Sequence, residues 1–232
     1  MTDNNSPLDL LRDFTGRVPL FPLPDAVLFP HVLMPLMIFE SRYRELVSDV
    51  LAGDKLIAMA LLEPGWEDTY ETKQAAICST VCVGQISTCE CLPDGRYQLV
   101  LEGVARARVL SEEPTVKLYR VGHLELFPDE EPKLTASERL KRQRELLVGF
   151  QQLSVGCEFD NVFHSSLDAD LPLGGLCDVL AHSLPLNPDS AQAILEETDV
   201  ANRSQLVLEE LRTCIGASTQ QPQTFPPPYS LN

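Results

Sequence analysis

Hydrophobic and polar positions change their rhythm about halfway along the chain. Residues 17–40, RVPLFPLPDAVLFPHVLMPLMIFE, are apolar but carry five prolines. Proline cannot donate to a sheet ladder, so this stretch predicts short, edge-like or bulged extended pieces instead of one long element. Phe39, Tyr43, Leu46, Val47, Val50 and Leu51 then recur at helical intervals, with Gly53 as a stop signal, which predicts an amphipathic helix. Residues 56–62, LIAMALL, form a short apolar run between Asp54 and Pro64 and read as a strand. From 76 to 90 the chain is apolar and β-branched in near alternation, Leu92-Pro93-Asp94-Gly95 supplies a turn, and 97–102 alternates again. That pattern predicts a hairpin. Gly103 is expected to interrupt it, with extended segments following over 104–110 and 117–127.

After Pro128-Asp129-Glu130-Glu131-Pro132 the period becomes helical. Thr135 and Glu138 make a T-x-x-E capping box, and Leu146, Phe150 and Leu153 share one helical face. Leu176, Leu180 and Leu184 form a second stripe that Pro185 ends. Asn187 and Pro188 are an N-cap and N1 pair for a short third helix, and Asp199 caps a fourth that carries Val207, Leu208, Leu211 and Ile215 up to Gly216. The expected fold class is α+β, with a mainly β part over 17–128 followed by a helical bundle over 133–216. Residues 1–16 and the Pro-, Gln- and Ser-rich tail 217–232 are expected to be flexible. The proline-bracketed stretch 128–132 is the expected boundary.

Composition narrows the partners. A chain of 232 residues with 44% hydrophobic residues can bury a core without a metal or disulfide staple. A net charge of −16 repels phosphate backbones, so nucleic acid is not an expected partner. Seven cysteines, an odd number scattered through a chain of this size, read as reduced thiols in a cytoplasmic protein. No apolar run approaches the ~18–20 residues of a membrane span, and residues 1–16 lack the basic and apolar regions of an export signal.

Catalytic chemistry finds little purchase. There is no G-x-S-x-G elbow, no H-E-x-x-H and no glycine-rich dinucleotide fingerprint. His164, Ser165, Ser166 and Asp168 are neighbours in sequence, but a triad is built from distant positions, and they read as a polar loop. Cys78, Cys82, Cys89 and Cys91 are the one metal-like set. Structural zinc favours cysteine pairs on knuckle turns, and these lie in extended segments, so they read as packing residues, with no cofactor expected. Pro226-Pro227-Pro228-Tyr229 matches a WW-module ligand, although a plain tail is the simpler reading. Arg106, Arg108 and Arg120 are expected to be surface ions paired with nearby carboxylates.

The order of these elements, with Pro19-Leu20-Phe21-Pro22-Leu23, Leu28-Phe29-Pro30 and Pro35-Leu36, resembles the opening of the Lon protease N-terminal domain. Gly84-Gln85-Ile86, the turn Leu92-Pro93-Asp94-Gly95-Arg96 and Leu101-Glu102-Gly103-Val104-Ala105-Arg106 are similar to that family's central sheet. Leu176-Cys177-Asp178-Val179-Leu180-Ala181, Ala191-Gln192-Ala193-Ile194-Leu195-Glu196 and Asp199-Val200-Ala201-Asn202-Arg203 resemble its helical ending. The resemblance spans roughly residues 17–215. It implies a PUA-like β-barrel joined to a helical bundle, used in Lon to engage substrate polypeptides.

Within these 232 residues there is no Gly-Lys pair for a Walker A loop, and Pro93-Asp94-Gly95 is followed by Arg96 and Tyr97 instead of a nucleophilic serine. The expectation is therefore a free-standing, non-enzymatic module. It would bind unfolded or partly folded polypeptides and act with a separate protease. The alternative is an interaction or small-ligand sensor protein, the use to which the cereblon family puts the same domain. A surface for varied chains needs accessible, adaptable apolar groups. Phe29, Met34 and Met37, set among prolines, are the candidate contacts.

Overall fold

The computed structural model describes residues 14–130, 132–154 and 171–220. Six strands are described: β1 (Arg17–Leu23), β2 (Leu33–Ile38), β3 (Leu56–Leu61), β4 (Thr80–Cys91), β5 (Tyr97–Glu113) and β6 (Arg120–Leu126). They form one sheet in the order β2-β5-β4-β3-β1-β6, and β6 also returns to pair with β5. That last pairing closes five strands into a barrel and leaves β2 outside the ring as an edge strand. Among the pairings of these six strands, only β1–β3 is parallel.

Closure depends on β5, which runs for 17 residues. Residues 97–102 pair with β2, whereas residues 107–113 pair with β6. Register shifts at Val83/Gly84, Ile86/Thr88 and Val109/Ser111 bend the ladder so that one strand can serve both neighbours. Gly103 does not interrupt β5. The backbone of the segment before β2 crosses there so closely that a Cβ would stand 1.9 Å from the Phe29 carbonyl oxygen. Gly103 exchanges bonds with this segment, receiving one from His31 N–H (2.9 Å) and donating one to Val32 O (2.8 Å). His31 turns the chain there with a φ of 66°.

Two apolar clusters follow from strand alternation. Val18, Leu20, Ala58, Ala60, Val81, Val83, Ala107 and Leu124 come from all five ring strands and fill the barrel, several of them small enough for its narrow interior. The opposite faces of the same strands, among them Met59, Cys82 and Leu101, join a larger core.

That core is shared with the helices. Helix α1 (Ser41–Leu51) contributes Tyr43, Leu46, Val47 and Val50. It starts at Ser41, so Phe39 precedes it and stands 64% exposed. Beyond the barrel come α2 (Ala136–Ser154), α3 (Leu173–Ser183), α4 (Pro188–Glu196) and α5 (Val200–Gln220). Leu146, Leu180, Leu195 and Leu211 from these four helices lie in the same cluster as Cys82 and Leu101. The α+β class is thus a barrel with its own interior cluster and a helical layer packed on its outer face through a second, larger core.

The starts of α2, α4 and α5 are the ones the local sequence encodes. Thr135 Oγ1 receives the Glu138 N–H at 3.3 Å, and Glu138 Oε2 receives the Thr135 N–H at 2.8 Å, closing the capping box reciprocally. Asn187 Oδ1 receives Ser190 N–H at 2.8 Å, and Asp199 Oδ1 receives Ala201 N–H at 2.7 Å. Gly216 does not end α5, which continues to Gln220.

Candidate functional site

Strand β2 has the burial pattern of an edge that is apolar on both faces. Its alternate residues Met34, Leu36 and Ile38 turn towards the core, while Leu33, Pro35 and Met37 face out. Leu33 is 59% exposed and Met37 44%, and Phe39 extends the row past the end of the strand. Proline is tolerated at Pro35 because an edge strand does not need every donor.

The candidate contacts from the sequence fall in three environments. Met37 stands in this exposed row, Met34 is half-buried against the core, and Phe29 is 1% exposed inside it. Leu33 and Phe39 were missed. The signal for them was present, because Pro35 marks an edge and residues of the same parity share its face. Without the register, either parity could have been the outer one.

The row ends at a rigid corner. The Arg42 guanidinium lies 4.6 Å from the Tyr43 ring centroid and 4.5 Å from that of Tyr70, stacked between two aromatic faces. It also pairs with Glu40 at 2.7 Å and donates to the Tyr70 carbonyl at 2.6 Å. Tyr70 in turn donates its hydroxyl to Glu40 (3.0 Å), and Trp66 packs edge-on against the Tyr70 ring. These contacts tie the loop around the short 3₁₀ turn Glu67–Thr69 to the residue after Phe39.

The arginines correct an expectation. Arg106 and Arg120 are buried, not surface ions, at 3% and 8% exposure. Arg106 forms a forked pair with Asp178 of α3, and Arg203 of α5 pairs with Asp129 at 2.9 and 2.5 Å. Arg106 also reaches Asp129 at 3.3 Å, and Arg203 reaches Asp178 at 3.4 Å. Two cations and two anions therefore balance one another where the barrel meets the helices. Burial works against the Arg106 charge, yet Asp178 beside it holds the guanidinium above its ordinary value. Arg120 pairs with Glu112 and donates to the Ala75 carbonyl at 2.6 Å. Arg108 lies over the Phe127 ring. This cluster positions the two layers, and Asp129 keeps one side towards solvent.

Cys82 is fully buried and Cys78 and Cys89 are half-buried, whereas Cys91 is exposed. Among the described residues no group of three or more His, Cys, Asp and Glu side chains is placed to hold a metal ion. Burial pushes the Cys82 thiol far up, and that of Cys177 to about 12, so neither is a ready thiolate. His164, Ser165, Ser166 and Asp168, and likewise Pro226, Pro227, Pro228 and Tyr229, lie outside the described residues. A groove of about 900 Å³ runs beside Asp129, Gln143 and Pro172. Glu130, Pro132 and Leu171, which help to line it, adjoin in sequence residues 131 and 155–170, which the structure does not describe. Among the described residues no helix is long and apolar enough to cross a membrane.

The barrel-and-helix fold is shared with solved Lon N-terminal domains. The Lon N-terminal domain protein from Xanthomonas campestris superposes with a TM-score of 0.61 at 24% identity, covering 83% of this chain and 97% of that one. The N-terminal domain of the Mycobacterium avium complex Lon protease gives a TM-score of 0.64 at 14% identity, covering 84% and 98%. Residues 17–213 match the family described as the ATP-dependent protease La (LON) substrate-binding domain, and the chain belongs to that family. Lon protease of Azorhizobium caulinodans is 29% identical over 218 residues, covering 90% of this chain. Lon protease 2 of Desulfotalea psychrophila is 30% identical over 205 residues, covering 85%. The chain spans about a quarter of the length of these relatives, 24% and 25% respectively.

Proposed function

We propose that this chain binds unfolded or partly folded polypeptides along the outer edge of β2 and performs no chemistry of its own. The observation that carries the reading is the row Leu33, Met37 and Phe39, three large apolar side chains exposed together along an edge strand and just past its end. Contiguous exposed apolar surface marks an interaction site, and the flexible thioether of Met37 adapts to varied partners. The family description supports the reading, since it names a substrate-binding domain of an ATP-dependent protease. On this reading the bound chains are destined for a Lon-type protease, and the setting is the cytosol. Met37 belongs to the contact set, with Met34 beneath it and Phe29 supporting the segment from the core.

The test is binding of a reduced, alkylated and permanently unfolded protein, followed by fluorescence anisotropy. Met37→Glu should weaken binding by about tenfold, as expected for loss of an anchor side chain, with the melting temperature unchanged. Equal binding by the variant would refute the edge as the site. Hydrolysis of the client by the pure chain would refute the non-catalytic half of the proposal.

A further inference from the structure

Resting on the polypeptide-binding reading above, we infer that the segment taken up at β2 is extended, adds to the open edge as a further strand, and carries lysine or arginine beside its apolar residues.

The backbone argument comes from register. Gly103 donates to Val32 O, and the β2–β5 pairing continues from Leu33↔Glu102 to Ile38↔Tyr97. In an antiparallel ladder bonded and non-bonded pairs alternate. The bonded pairs after Val32 are therefore Met34–Leu101, Leu36–Leu99 and Ile38–Tyr97. The backbone groups of Leu33, Pro35 and Met37 point the other way, to the side where no strand is described. An incoming strand meets donors at Leu33 and Met37 and acceptors at all three residues. Pro35 withholds one donor, which discourages the edge from pairing indiscriminately but does not close it. The apolar row then gives the incoming side chains on that face neighbours to pack against.

The charge argument comes from what surrounds the row. Leu33 is opposite Glu102, and Met37 is opposite Gln98, which is opposite Glu90. Among the described residues neither Glu90 nor Glu102 forms an ion pair. Beyond Phe39, the corner built on Glu40 and Tyr70 belongs to a loop that exposes Glu67, Asp68 and Glu71. Residues 31–40, 66–71, 85–91 and 97–102 together hold six carboxylates and no lysine or arginine. Glu40 among them is paired with Arg42, and Arg44 reaches the turn at Gly95, which leaves the carboxylates in excess. Arg96, in the turn between β4 and β5, is already paired with Asp94 at 2.7 Å. An apolar row with an anionic rim selects an apolar segment with cationic flanks, because a like-charged segment is repelled on approach.

Three labelled peptides of about 8–10 residues, the length of an ordinary strand, test this with the full chain. One alternates valine and leucine with polar residues and has lysine flanks, the second has glutamate flanks, and the third is the lysine peptide N-methylated at alternate backbone positions. At low salt the lysine peptide should bind about tenfold tighter than the glutamate peptide, and the gap should shrink at high salt. The N-methylated peptide should lose binding. The pair Glu90→Gln and Glu102→Gln should abolish the charge preference while sparing affinity for apolar chains. Equal affinity for the two flanked peptides, both lost with Met37→Glu, would overturn the charge inference and leave the edge reading standing. Undiminished binding of the methylated peptide would overturn strand addition. Binding that Met37→Glu leaves intact would overturn the edge reading itself.

Discussion

Arg106 on β5 and Asp178 on α3 meet through hydrogen bonds of 3.0 and 2.5 Å, with side-chain exposures of 3% and 1%. Removing one partner leaves the four-membered cluster with an uncompensated buried charge, at a cost of about 3–5 kcal/mol. Arg106→Met and Asp178→Asn should each shift the urea midpoint by a loss of that order. Replacing both together by apolar residues should recover a large part of it. Near-neutral single variants would mean that the pair does not bind the layers together.

Acid sensitivity should trace to Asp129. Burial raises its carboxyl, but the hydrogen bonds and charge of Arg203 outweigh that and hold it below the usual carboxylate range. A depressed folded value means the stabilisation is complete at neutral pH. It is lost as pH falls below the unfolded value, about 4, and through the folded one. Asp129→Asn should be less stable than the parent at pH 7, and the difference should narrow on acidification. Urea midpoints measured from pH 7 down to pH 3 would show it, and a constant difference would refute it.

Two glycines should respond in opposite ways. Alanine at Gly103 places its Cβ against the Phe29 backbone, which cannot move aside without disturbing β5, so a loss above about 3 kcal/mol is expected. At Gly216, within α5, a Cβ meets nothing within 4 Å. Gly216→Ala should stabilise by about 0.5–1 kcal/mol through helix propensity. Thermal melting of the two variants gives the comparison, and similar effects at both positions would contradict the close approach.

The capping box offers a smaller, local measure. Thr135→Ala removes the acceptor for Glu138 N–H and should cost about 1 kcal/mol. Amide exchange should rise in the first turn of α2 and nowhere in the barrel.

What could be read from the chain divides along the range of the interactions. The boxes at Thr135 and Glu138, at Asn187 and at Asp199 are written within a few residues, and each helix begins as the sequence implies. The turn at 92–95 likewise folds where the dipeptide Asp94-Gly95 sets it, with Gly95 N–H bonded to Leu92 O at 2.8 Å. Gly103 misled because its glycine answers a neighbouring segment, not a break in its own strand. The arginines misled for the same reason, since Arg106 finds Asp178 72 residues away. For the candidate site, the apolar stretch around Pro35 was legible, but which of its side chains face outwards depends on the pairing of β2 with β5. Periodicity gives two faces and does not say which one is covered.

The way β2 is attached also sets how the molecule bears tension. Its ladder is a single run of six residue pairs, 33 to 38, with β5 alone. A pull directed along β2 loads all of those hydrogen bonds in shear at once, so they must fail together. A pull across the strand opens them one after another, like a zip.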